Sequence, residues 1–295
     1  MFFRTGPPAI AVGLFIPFGL VQKIYASILK RPYIRAVNYH DIPFKSRKTF
    51  EAHLRWFKRY FSGVTYDELE GFLKEGIWKK EKPGLIIFFD DGLRTHYDTA
   101  MPLLDKYGFT GWFAVPSDFI GQPVSAQTEY AESHRIDYDQ TYEDGRIALG
   151  VEELNYLKKR HVIVCHTASH KRLPSSLNKD ALYNEIVLAK ERLQSMIKSW
   201  IKVFCWVGGE ERNYSKEAAN AVKNAGFNLS FNTKPAVIVS KTDPHLLGRT
   251  SIKSHWGISL IKFHLLGILD IFYIPQKRRI YKTLLGGAGV GKTSR

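Results

Sequence analysis

LIIFFDDG, residues 85–92, drives five apolar residues directly into Asp90, Asp91 and Gly92. The run has the length and composition of a buried strand. Two carboxylates side by side at its end repel each other and raise one pKa unless something offsets them. A metal ion does that, so the reading becomes a search for further ligands at neighbouring strand ends.

The flanking sequence supplies the strands. YIRAVNYH (33–40), FTGWFAVP (109–116), HVIVCH (161–166), IKVFCWVGG (201–209) and FNLSFNT (227–233) read as strands. Between them, TFEAHLRWFKRYF (49–61), YDELEGFLKEG (66–76), residues 95–107, VEELNYLKKR (151–160), NKDALYNEIVLAKERLQSMIK (178–198) and SKEAANAVKNAG (215–226) have helical character. Short strands alternating with helices predict parallel pairing with the helices outside, as a barrel or an open sheet. In both, chemistry gathers at the C-terminal ends of the strands. His40, Asp90, Asp91 and His166 all stand at such ends. Residues 121–147 are polar and without clear period, and read as a long surface insertion.

HTASH, residues 166–170, follows the strand VIVC and sets His166 and His170 four apart, one helical turn, so that both imidazoles can face one point. Two imidazoles and one carboxylate make a three-ligand site with a position left open for water, with zinc first among the ions and nickel or cobalt as substitutes. The other carboxylate is then placed to take a proton from a water activated at the metal. HxxxH alone or Asp-Asp-Gly alone is a weak signal, since Asp-Gly also marks turns. In order and at matching strand ends, they reinforce one another.

Composition narrows the class. With 295 residues, 44% of them hydrophobic, the chain can bury a large core. Cys165 and Cys205, the two cysteines, exclude a disulfide framework and a four-cysteine zinc site, and read as buried free thiols. The formal charge of +15 favours anionic surroundings. The first 60 residues hold eleven Lys or Arg against Asp41 and Glu51, and the last 20 hold six against no acid. Neither end interleaves aromatics with its cations, so an anionic membrane surface is favoured over nucleic acid. The apolar run through residues 7–21 is short for a span and contains a proline, and no small-x-small cleavage site follows it. We read residues 1–32 as an anchor or interfacial segment, with a signal peptide or a packed non-membrane element as alternatives. A membrane-associated or cell-envelope location in a bacterium is expected over a cytoplasmic one.

FFDDG and HTASH resemble the first two signature motifs of the polysaccharide deacetylase family, the NodB homology domain. YHDIPF, FEAHLRWFKRYFSGVTYDELEGFL and ALGVEELNYLKKRHVIVCHTASH are similar to the flanking elements, and the resemblance covers roughly residues 33–250. It implies a distorted (β/α)7 barrel over residues 33–260, between the N-terminal segment and a basic tail at 261–295. It further implies that Asp90 is the general base and that Asp91, His166 and His170 hold one divalent metal ion. The branch it resembles most, the poly-N-acetylglucosamine deacetylases, has an early strand-end histidine as acid, which is His40 here, with Asp41 beside it to orient the ring. His245 and His255, in DPHLLGRTSIKSHW, are the alternatives, and Arg249 matches an arginine of the closing segment of that branch.

The third motif departs from the family pattern. It reads FCWVGGEERN, with Val207 in place of a proline. Arg212 is the nearest arginine to orient Asp90, and Trp206 and Gly209 are the candidate substrate contacts. The expected reaction is removal of N-acetyl groups from an N-acetylated glycan. An O-acetyl esterase, a catalytically impaired carbohydrate-binding protein and a nucleic-acid-binding protein are the alternatives. GGAGVGKT (286–293) satisfies the P-loop pattern, but the chain ends two residues after Thr293, with no room for the following helix. No nucleotide is expected there.

Overall fold

Residues 5–29 and 31–285 are described by the structure, a computed structural model. The strands are β1 (Ile34–Tyr39), β2 (Ser62–Gly63), β3 (Gly84–Phe89), β4 (Gly111–Val115), β5 (Val162–Cys165), β6 (Val203–Cys205), β7 (Leu229–Asn232), β8 (Leu247–Gly248) and β9 (Thr250–Ser251). They lie in the order β8-β7-β6-β5-β4-β3-β1-β9, with β2 added beside β3. β1 and β3 pair in parallel from Ile34↔Gly84 to Tyr39↔Phe89. The last two strands are one segment interrupted at Arg249. Before it Leu247 pairs with Phe231 of β7, and after it Thr250 pairs with Val37 of β1. That segment nearly closes the sheet into a barrel.

Closure explains why LIIFF does not alternate in polarity. A strand with the barrel interior on one side and helices on the other is buried on both faces. Ile86 and Phe88 belong to the inner cluster with Trp112, Val203 and Phe231, whereas Leu85, Ile87 and Phe89 pack outward against the helices. By the period of two, the next inward positions are Asn38 on β1, Asp90 after β3 and Cys205 on β6. Aromatic rings fill the barrel beneath them, with Phe88 and Phe231 4.7 Å apart between centroids. Both cysteines are free and buried.

Three segments differ from the sequence-based expectation. The insertion carries a helix, Val124–His134, tied down by Gln127, whose Oε1 accepts from the backbone N–H of Ile147 and Ala148. Residues 261–285 are not a tail. Helices Ile258–Leu265, Ile268–Phe272 and Ile274–Leu284 pack on the barrel, burying Ile280 and Leu284. Arg35 reaches from β1 to Asp270 at 2.9 Å in a buried ion pair that fixes this end of the chain. At the N-terminus, helices Pro7–Phe15 and Phe18–Leu29 meet at a 79° bend, and no single described helix is long and apolar enough to cross a membrane. Phe18 packs edge-on against Trp56 and Tyr60, so the pair belongs to the folded body. GGAGVGKT lies outside the described residues.

Candidate active site

Asp90 and Asp91 leave β3 in opposite directions. Asp90 keeps the inward alternation and points into the barrel mouth. Asp91 takes a left-handed backbone, φ +83°, a conformation that costs a non-glycine residue energy and is concentrated at functional sites. That turn separates the two carboxylates and gives each its own set of partners.

The Asp91 carboxylate faces two imidazoles, with Oδ1 3.1 Å from His170 Nε2 and 3.5 Å from His166 Nε2. The other ring nitrogens are committed to backbone. His166 Nδ1 lies 2.8 Å from the Cys205 carbonyl and His170 Nδ1 2.8 Å from the His134 carbonyl. A carbonyl only accepts, so each Nδ1 carries a proton, and in the neutral ring it is Nε2 that presents a lone pair toward Asp91. Asp91 Oδ1 is itself buried without a hydrogen-bond partner. With both rings neutral, three lone pairs converge on one buried point, a repulsion that either a metal ion or a proton on an imidazole removes. Burial pulls the His170 pKa down, and the adjacent Asp91 charge more than reverses this, pushing it up to about 9. The donor set of one carboxylate and two neutral imidazoles fits a divalent ion of the zinc class.

The expected helical turn does not bring the histidines together. Residues 166–170 are a loop with left-handed backbone at Thr167 and His170. Buried Glu185 holds it: its Oε2 accepts from the Ala168 and Ser169 backbone at 3.0 Å each, and its Oε1 from the Ser169 hydroxyl at 2.7 Å.

Asp90 is clamped from the barrel-closing segment. Arg249 Nη1 donates to its Oδ1 at 2.6 Å, and Asn38 Nδ2 to its Oδ2 at 2.9 Å. The Ser251 hydroxyl donates to Asn38 Oδ1 at 2.9 Å, which fixes the amide orientation. Arg249 is fully buried and stacks over the Phe88 ring at 4.6 Å. Burial raises the Asp90 pKa, but the Arg249 guanidinium and then His166 and His40 outweigh it, so the carboxyl is held below its usual range. A second grouping, Asp90 with His166 and Cys205, is compact enough to hold an ion. It is the poorer site, because burial pushes the Cys205 thiol well up, and Asp90 is already committed to Arg249.

Arg212 is not the arginine that orients Asp90. Its guanidinium is 78% exposed and pairs with Glu210 at 2.8 Å on the surface. Trp206 is not a substrate contact either: it is buried, packed edge-on against Phe204 and tilted against Tyr214. Gly209 turns toward Thr233, and the neighbouring Val207 and Gly208 line the cleft instead. Gly208 has φ +75°, and a Cβ there would crowd Asn213 and Arg172.

His40 is exposed at the rim of a cleft of about 590 Å³ that also contains His134, Arg135, His170 and Arg172. His40 and His255 share a second cleft of about 230 Å³ with Asp41 and Asp139. The His40 charge acts on both Asp90 and Asp91, whereas that of His255 acts on His53. Asp41 does not orient the His40 ring. Its Oδ1 accepts from the Thr95 hydroxyl at 2.6 Å and its Oδ2 from the Asp139 N–H at 2.6 Å, anchoring the insertion. His245 sits before β8, beside Trp206 and Ser230, away from the strands' C-terminal ends. Asn38, Glu185 and the His134 carbonyl escaped the sequence reading. Only Asn38 left a trace there, as a polar residue two positions before the end of a buried strand.

The family model described as polysaccharide deacetylase matches residues 79–230. The Bacillus subtilis protein YxkH, assigned by name as a polysaccharide deacetylase, is 22% identical over 207 residues, 70% of this chain. The aligned part is 64% of YxkH, so the chain spans a little under two thirds of that relative's length. Among solved structures, the Streptococcus pyogenes deacetylase PplD in complex with acetate superposes with a TM-score of 0.62 at 15% identity, over 78% of this chain and 97% of PplD. A de-N-acetylase from Aggregatibacter actinomycetemcomitans gives 0.63 at 16% identity, over 79% and 100%. IcaB from Ammonifex degensii gives 0.62 at 18% identity, over 80% and 97%. At these identities the structures share the fold.

Proposed function

The chain belongs to the polysaccharide deacetylase family, and from that premise we propose that it hydrolyses N-acetyl groups on an N-acetylated glycan with the help of one divalent cation, zinc foremost. The observation that carries this reading is the buried, unpartnered Asp91 Oδ1 facing the Nε2 atoms of His166 and His170. A cation held there supplies Lewis-acid chemistry, polarising a carbonyl and lowering the pKa of a water. His166 and His170 serve as neutral ligands because the Cys205 and His134 carbonyls fix their tautomers. Asp90 accepts the proton of the attacking water. Arg249 and Asn38 hold its carboxylate ionised and aimed, so no rotamer freedom is spent at that moment. His40, at the cleft rim and within electrostatic reach of both aspartates, donates a proton to the departing amine.

The substrate class is supported by family membership and by the cleft of about 590 Å³ that His40 and His170 line. An ester carbonyl would be activated by the same groups, so the experiment compares the two. Purified full-length protein is stripped with a chelator, reloaded with zinc, nickel or cobalt, and assayed for acetate release from chitooligosaccharides and from O-acetylated glycans. Cation-dependent release from the amide is the expected result. Release from the ester alone would reassign the reaction, and release from neither would remove the hydrolase reading.

A further inference from the structure

A helix that is apolar all round belongs in a core or against lipid, and Pro7–Phe15 is only half covered. One side, through Ala9 and Gly13, packs on Ile258–Leu265 so closely that a Cβ at Gly13 would strike the Ser259 carbonyl. The other side shows Leu14 58% and Phe15 78% exposed, with Ile10 beside them. Past the bend, Leu20, Ile24 and Ile28 recur every four residues and form one exposed stripe on Phe18–Leu29, with Ile28 73% exposed. Nothing among the described residues covers either stripe.

Charge says what does. Next to the stripe, Gly19, Gln22 and Lys23 form one wall of a cleft of about 530 Å³ whose other walls carry Arg31, Arg59, Lys80 and Lys82. Glu81 is the sole acid lining it, and Lys23, Arg31 and Arg59 make no ion pair among the described residues. Trp78 and Tyr60 line the same cleft, the residue types that settle at a bilayer's polar boundary. Exposed aliphatics bordered by unpaired cations and interfacial aromatics are complementary to lipid with anionic headgroups, and unlike a plain dimer face.

We propose that the bent N-terminal helix pair and the adjoining basic cleft dock the protein on an anionic lipid bilayer, lying in one leaflet without crossing it. Tyr33 and Pro83 in the cleft directly precede β1 and β3. The docking surface therefore borders the N-terminal ends of these strands, opposite the barrel mouth that carries Asp90 and Asp91. Docked this way, the protein keeps its catalytic cleft facing away from the lipid.

The test is co-sedimentation of the full-length chain with vesicles of phosphatidylcholine alone and of phosphatidylcholine mixed with phosphatidylglycerol. The parent should bind the mixed vesicles and be released by salt. Each cation near such a surface is worth about 1 kcal/mol, so Lys23→Gln with Arg31→Gln should lower partitioning about 30-fold. Leu14→Asp with Phe15→Asp should abolish binding. Melting temperatures unchanged from the parent show that the variants fold, a control independent of the deacetylase reading. Failure of the parent to bind either vesicle overturns the proposal, as does equal binding to both. A parent that forms a dimer, lost in Leu14→Asp/Phe15→Asp, and ignores vesicles assigns the face to a second copy and overturns it too.

Discussion

Removing Arg249 should cost far more than its one hydrogen bond suggests. The guanidinium is fully buried and its Nη1 lies 2.6 Å from an Asp90 carboxylate that is 3% exposed. Arg249→Met keeps the length of the chain over the Phe88 ring but strands a carboxylate in the barrel mouth. Breaking one side of a buried ion pair costs about 3–5 kcal/mol, because the remaining charge is neither hydrated nor paired. Asp90→Leu strands the guanidinium and falls in the same range. The double variant strands neither, and it also removes Arg249 Nε and Nη2, which are buried without partners in the parent. Its loss should therefore lie well below the sum of the two single losses, with a coupling of at least about 2 kcal/mol. The assay is urea unfolding of the parent, both single variants and the double variant under identical conditions. Single losses that add to within about 0.5 kcal/mol would refute the reasoning, since independent sites behave that way.

Other consequences are as direct. Asp90→Asn, which keeps a carbonyl oxygen for Arg249, should retain bound metal and near-normal KM while kcat falls by about 10²–10⁴; a variant turning over at the parent rate shows that Asp90 is not the base. His40→Gln should lower kcat by a factor in the same range, with His255→Gln close to the parent; the reverse pattern moves the acid to the closing segment. His53 provides a stability test away from the site. Its Nε2 donates to the Trp256 carbonyl at 2.6 Å, its Nδ1 accepts from the Tyr39 hydroxyl at 3.0 Å, and burial pushes its pKa down to about 4. The folded state then takes up this proton less readily than the unfolded chain. The stabilising contribution of neutral His53 is complete above pH ~6.5 and is lost as pH falls toward ~4, about 3 kcal/mol in all. Unfolding free energies measured across that window should fall less steeply in His53→Gln than in the parent, and an unchanged slope rejects the assignment.

The barrel strands and the cluster of Asp91, His166 and His170 at their ends are legible because they are local signals. A doubly buried strand shows as LIIFF, and the clustered side chains stand at strand ends in two short motifs. What the sequence concealed was long-range. Arg249 is 159 residues from Asp90 and becomes its partner only because the closing segment switches from β7 to β1 at that residue. Arg212, beside the third motif, is the arginine its sequence position suggests for Asp90, but the nearby Glu210 holds it at the surface. Backbone carbonyls leave no mark in a sequence, so the part played by His134, at the end of a helix in a polar insertion, could not be read. Trp206 illustrates the converse limit: an aromatic beside a motif is as readily core as contact, and burial decides.

Whether Asp91, His166 and His170 hold an ion decides how this site works. Elemental analysis of purified full-length parent and of Asp91→Ala, both shown to be folded by their melting curves, tests it most directly. One divalent ion per parent chain and essentially none in Asp91→Ala is the predicted result. Full stoichiometry retained in Asp91→Ala would contradict the assignment of Asp91, His166 and His170 as the metal centre.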